Sequence, residues 1–196
     1  MGLVESAVAD VETPRVKMTI DKFLALPEDG VDRMLLDGEV WELGMTVRNR
    51  FHGRTEARIA YFLTGWLRLQ PAPRGSIVSG DAGFRLRGGE NALGIDVAYA
   101  SAELVARTPP DALLFDGPPV LAVEILSPSE PLKAILAKIG KYLLVGTVVW
   151  EVEPQTQVVR VHCSGLPVES YNITQELVGD PYLPGFRVAV AEFFAD

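Results

Sequence analysis

Three residues carry the chemistry that can be read from the sequence: Asp96, Glu124 and Lys138. Glu124 lies within Val120-Leu121-Ala122-Val123-Glu124-Ile125-Leu126, a run apolar on both alternating faces, as expected of a central strand covered on both sides. Asp96 poses the same puzzle in Gly94-Ile95-Asp96-Val97-Ala98-Tyr99. An ionised carboxylate buried without a partner is costly, so each acid needs a cation or must take a proton. Two acids in two neighbouring apolar strands suggest convergence on one cation, and carboxylate oxygens suit Mg²⁺ or Mn²⁺. The alternative is that each acid sits at a strand end or pairs with an arginine.

Lys138 is placed by helical geometry. From Pro131 to Val145 the apolar residues Leu132, Ile135, Leu136, Ile139, Tyr142 and Leu143 fall within an arc of about 120°. Lys138 lies only about 40° beyond Tyr142, whereas Lys133 and Lys141 lie about 60° and 100° beyond the arc edges. Lys138 is therefore the lysine best able to reach the strand layer; otherwise it snorkels over the core rim.

The elements that must position these residues follow from periodicity and turn signals. Thr19 is a candidate N-cap for a short helix ending before Pro27. Met34-Leu35-Leu36, Asp37-Gly38 and Glu39-Val40-Trp41 read as a hairpin. Over residues 53–70, Ile59, Phe62, Leu63 and Trp66 form one helical stripe, with Arg54, Arg58 and Arg68 on the opposite face. Strand-like segments are expected at 76–79, 83–87, 95–99, 120–126, 148–152 and 158–162. The fold class is then α/β (α+β), with a central mixed sheet flanked by helices. Residues 1–17 read as a flexible leader and 18–196 as a single domain.

Composition narrows the function. The chain has 196 residues, 48% hydrophobic and 22% charged, with a net charge of −8, which excludes nucleic-acid binding by bulk positive charge. Cys163 is the lone cysteine and His52 and His162 are the histidines, so a disulfide framework and a multi-thiolate zinc site are excluded. No GxSxG elbow or GxxxxGK loop occurs. No secretory signal or run of about 18 apolar residues is visible. The expectation is a cytoplasmic protein with no membrane partner.

In their order and spacing, Asp37-Gly38-Glu39, Gly83-Phe84-Arg85-Leu86, Ile95-Asp96-Val97, Val123-Glu124-Ile125-Leu126-Ser127-Pro128-Ser129, Lys138 with Tyr142, and Leu183-Pro184-Gly185-Phe186 resemble the Uma2 family, also called DUF820. These are restriction-endonuclease-like proteins of the PD-(D/E)XK kind, and the resemblance runs from about Met18 to Phe194. It implies a restriction-endonuclease-like core and a metal-dependent endonuclease acting on DNA, taken as duplex. Asp96 and Glu124 would bind Mg²⁺ or Mn²⁺, and the main-chain carbonyl of Ile125 would complete the oxygen shell. Lys138 would be the catalytic base or charge stabiliser. Glu39 matches an early acidic position that would hold a water of the metal's shell. Ile95 stands where the family usually has proline, and Ala134 where it often has aspartate, four residues before the lysine. A homodimer is expected for cutting both strands. The alternative is a catalytically inactive nuclease-fold protein acting as a nucleic-acid-binding or regulatory module.

Charge distribution bears on a DNA partner. Eight arginines lie between Arg48 and Arg87 against two acids, Glu56 and Asp81. Guanidinium forks suit phosphate oxygens, which makes Arg54, Arg58 and Arg85 candidates for nucleic-acid contact; the alternative is a solvated helix face. His52, at the start of the helix, would contact phosphate, assist a water, or make a local hydrogen bond there.

Overall fold

The computed structural model describes residues 17–45, 49–87, 89–128 and 131–195. The expected leader therefore lies outside the described residues up to position 16, as do Arg48 and Ser129; Lys17 already forms an isolated bridge with Glu39. In chain order the elements are α1 (Ile20–Leu24), β1 (Val31–Leu36), β2 (Glu39–Met45), α2 (Arg50–Leu69), β3 (Ser76–Leu86), β4 (Asn91–Ala100), α3 (Ala102–Arg107) and β5 (Phe115–Asp116). There follow β6 (Leu121–Ile125), α4 (Leu132–Leu144), β7 (Val148–Glu153), β8 (Val158–His162), β9 (Glu169–Asn172), β10 (Glu176–Val178), β11 (Arg187–Ala189) and α5 (Ala191–Phe194).

Nine strands form one mixed sheet in the order β2-β1-β4-β6-β7-β8-β9, with β3 paired to β4 and β5. β6 and β7 are parallel, joined by α4, and β3 and β5 are parallel; the other pairs are antiparallel. The Asp37-Gly38 turn takes positive φ at both residues, +51° and +77°, the geometry that lets a two-residue turn follow strand twist.

Each sheet face has its own core. Ile59, Leu63 and Trp66 of α2 pack with Val97, Val123, Trp150 and Phe193 on one face. Ile135, Ile139 and Tyr142 of α4 pack with Ile95, Ala98, Ala122 and Val149 on the other. Burying side chains of this size contributes about 1.5–3 kcal/mol each. Every residue of β6 is buried, as its two-sided apolar pattern requires.

Two expectations need correction. The segments 76–79 and 83–87 are one strand, β3, bent where its register to β4 slips between Ser79 and Ala82. Helix α4 is also rolled relative to its apolar stripe: Leu132 and Leu136 are exposed, while Ala134, Ile135, Lys138, Ile139 and Tyr142 are buried. The inward arc is set by what the sheet offers, a buried carboxylate beneath Lys138, and the small Ala134 side chain lies within that contact.

Candidate active site

The site forms where β4 parts from β6. One edge of β4 pairs with β3, and the other pairs first with β1 at Ala92, then with β6 from Val97 to Tyr99. Asp96 and Glu124 are the next residues beyond the last rung, Val97 opposite Val123. There the Asp96 carboxylate replaces a main-chain partner: its Oδ2 accepts the Ile125 N–H at 2.7 Å. On the other side of Asp96, β3 bulges at Gly80 and Asp81, both at positive φ. A bulge re-aims a strand locally, and here it lies beside the acid.

Helix α2 supplies the second support. Asn49 caps it through Oδ1, accepting from the main-chain N–H groups of Phe51 and His52. The His52 ring is fully buried, with Nε2 3.3 Å from Asp96 Oδ1 and Nδ1 3.8 Å from Glu56 Oε2. Glu56 Oε1 in turn accepts the Gly80 N–H at 2.7 Å, tying the helix to the bulge. Burial pushes the Glu56 carboxyl above its usual range, and the charge of Asp96 adds to that.

Helix α4 supplies the third. Lys138, 6% exposed, places Nζ 2.9 Å from Glu124 Oε2, and the Tyr142 hydroxyl donates to Oε1 at 2.7 Å. Burial pushes the Glu124 carboxyl up to about 7, although Lys138 pulls it down; the charge of Asp96 pushes the same way as burial. The Lys138 ammonium thus faces Glu124, while Asp96 faces the Ile125 N–H and the His52 ring.

A divalent cation fits that donor chemistry. Mg²⁺ commonly takes one or two carboxylates and keeps the rest of its shell for water and substrate phosphate. Asp96 and Glu124 are hard oxygen donors of that kind, with the Ile125 carbonyl as their neighbour. Among the described residues no group of three or more His, Cys, Asp and Glu is placed to hold a metal ion.

Asp96, Glu124, Ile125, Lys138 and His52 come together; Glu39 does not join them. Glu39 pairs with Leu36 while Leu35 pairs with Ala92, which puts it level with Asn91, about 16 Å along the strand direction from Asp96. Its carboxylate instead stands 4.0 Å from Lys17 Nζ. The expectation that His52 contacts phosphate is also revised, because its ring is sealed from solvent and bears on Asp96. Arg58 is engaged by Glu192, through both a main-chain oxygen and the carboxylate. Arg85 pairs opposite Ala92, toward the Glu39 end, with Asp21 3.8 Å away. Arg54 stands two residues after His52 on α2, about 200° round the helix and so away from Asp96. Glu56 and Tyr142 were missed as site residues; the signal for both was i,i+4 spacing, to His52 and Lys138 respectively.

The charged row continues across the sheet, since Glu124 pairs with Glu151 and Glu151 with Arg160. Glu151 accepts from Arg160 at 2.5 Å and lies 2.9 Å from His162 Nε2. A cavity of about 280 Å³ lined by Leu121, Val148, Cys163 and Tyr182 opens at the other end of β6 from Glu124.

This mixed sheet between helices is a fold also seen in a solved structure. The solved structure of a DUF820 protein from Anabaena variabilis, titled a putative nuclease, superposes with a TM-score of 0.77 over 90% of this chain and 97% of its own, at 18% identity. The family model Uma2, described as "Putative restriction endonuclease", matches residues 20–191, and the chain belongs to that family. No curated protein matches it.

Proposed function

We propose that this protein is a metal-dependent endonuclease that hydrolyses phosphodiester bonds in DNA. The observation that carries the reading is the meeting of Asp96, Glu124 and Lys138, from two strands and a helix, at a fork in the sheet. Asp96, Glu124 and the Ile125 carbonyl would hold Mg²⁺ or Mn²⁺, which when bound polarises phosphate and lowers the pKa of water. Lys138 balances the negative charge of the acids and supplies a positive charge for the phosphate oxygens in the transition state. His52 and the Ile125 N–H orient Asp96, and Tyr142 orients Glu124. Glu39 has no part in this reading. The work would be done in the cytoplasm, and pairing of two copies is read by light scattering.

A second reading, a nuclease fold that binds nucleic acid without cutting it, is favoured by one feature: Lys138 and Tyr142 occupy both oxygens of Glu124. Nicking of supercoiled plasmid in Mg²⁺, Mn²⁺ or EDTA, with Asp96→Ala purified in parallel, separates the two. Metal-dependent nicking by wild type that disappears in Asp96→Ala is expected. Nucleic-acid binding with no nicking in either metal would favour the second reading. Equal nicking by both proteins would assign the activity to a co-purifying nuclease.

A further inference from the structure

Among the described residues, helix α2 carries an outer face on which Arg50, Phe51, Tyr61 and Arg68 are exposed. His52, Thr55, Ile59, Leu63, Trp66 and Leu67 point into the protein. Opposite them, at about 100° per residue, run Arg50, the half-buried Arg54, Tyr61 and Arg68 over about 27 Å, with Phe51 on the flank of that face. Phe51 is 48% exposed and Tyr61 71% exposed. The Arg50 guanidinium lies 4.7 Å and that of Arg54 5.7 Å from the Phe51 ring centroid. The one acid of the helix, Glu56, is turned away and bonded to Gly80. In a chain of net charge −8, the helix's own residues along this stripe include arginines and aromatics and no acid.

The stripe begins at the candidate active site, because Phe51 immediately precedes the residue whose ring meets Asp96. Arginines alone would suit the phosphates of any nucleic acid. Exposed aromatic rings interleaved with guanidinium groups do more: both offer flat surfaces on which bases stack. In a duplex the base faces are already occupied by neighbouring bases, so such surfaces gain little from it.

We propose that the outer face of α2 binds single-stranded nucleic acid, with Phe51 and its two arginines as a base-stacking platform at the mouth of the site. The inference rests on the nuclease reading and narrows its substrate to single strands or unpaired ends. Arg50, Arg54 and Arg68 track the backbone, and Tyr61 offers a second stacking surface one to two turns beyond Arg54 and Arg58.

The test is fluorescence anisotropy in EDTA with labelled oligo-dT of about 20 nucleotides, oligo-rU of equal length, and a blunt duplex of equal length. Wild type is expected to bind a single strand more tightly than the duplex. The oligo-dT and oligo-rU arms decide whether that strand is DNA or RNA. Phe51→Ala is expected to weaken single-strand binding about 5- to 100-fold, Phe51→Trp to preserve it, and duplex binding to change little. Arg54→Ala is expected to reduce the salt slope by about 0.7.

Equal affinity for duplex and single strand, or no effect of Phe51→Ala, overturns the inference. If plasmid nicking still depends on metal and Asp96 in that event, the nuclease reading stands without it. Phe51-dependent single-strand binding, with no cutting of plasmid or oligonucleotide in either metal, has the opposite meaning: the platform stands and the nuclease reading falls.

Discussion

Replacing Lys138 with methionine removes the ammonium 2.9 Å from Glu124 while keeping most of the side-chain volume. Lys138 opposes the burial that pushes Glu124 up to about 7, both through its charge and through the 2.9 Å hydrogen bond. In Lys138→Met the carboxyl therefore rises further and takes a proton at neutral pH. The folded pKa of Glu124 is raised above its unfolded value of 4.5. Its contribution to stability is thus fully present below the unfolded value and is lost as pH rises through the folded one. In wild type that loss is complete a little above pH 7, whereas in the variant it continues at up to about 1.4 kcal/mol per pH unit.

The difference in unfolding free energy between the two proteins should consequently be modest at pH 6. By pH 8.5 it should be larger by about 2 kcal/mol. Urea unfolding of both proteins in EDTA at the two pH values measures this directly. A difference that is equal at both pH values, or that shrinks toward pH 8.5, would refute the account of Lys138 as the charge partner of a buried Glu124.

Two further outcomes follow from neighbouring features. Hydrogen bonds from His162 and then Arg160 hold the Glu151 carboxyl below its usual range, so its contribution is present above about pH 4.5 and lost as pH falls through the lowered value. Glu151→Gln should cost about 1–2 kcal/mol at pH 7, and the gap to wild type should narrow in urea melts taken toward pH 3. At Gly75 an added Cβ would lie 2.0 Å from the Ala100 carbonyl oxygen and 2.8 Å from the Tyr99 ring. Gly75→Ala is therefore expected to destabilise by about 1–3 kcal/mol, and an unchanged melting temperature would contradict that close approach.

Much of the site was legible without coordinates because the penalty on a buried charge is independent of the fold. Glu124 inside β6 and Asp96 inside β4 announced that partners must exist. Helical spacing singled out Lys138 as the lysine able to be one. Turn chemistry located the Asp37-Gly38 hairpin, since those residues tolerate the positive φ that it needs.

Other features escaped because nothing local encodes them. The early acidic position suggested Glu39, but the direction of β2 and its register through β1 carry that residue away from the fork. For His52 the sequence left open a phosphate, a water or a local hydrogen bond at the helix entry, whereas α2, capped by Asn49, lays its ring against an acid 44 residues further along the chain. The roll of α4 was hidden too, because its apolar stripe by itself would have turned Leu136 inward and left Lys138 at the rim.

The sequence by itself determined the sheet-and-helix class, the two acids in covered strands and the lysine spaced to reach them, since periodicity and the price of burial act residue by residue. Tertiary structure decided which groups meet: where β4 and β6 separate, which helix end closes on Asp96, and which arc of α4 faces inward. Those outcomes depend on strand direction, register and the balance of packing against ion pairing across distant segments. No short window of sequence contains these terms.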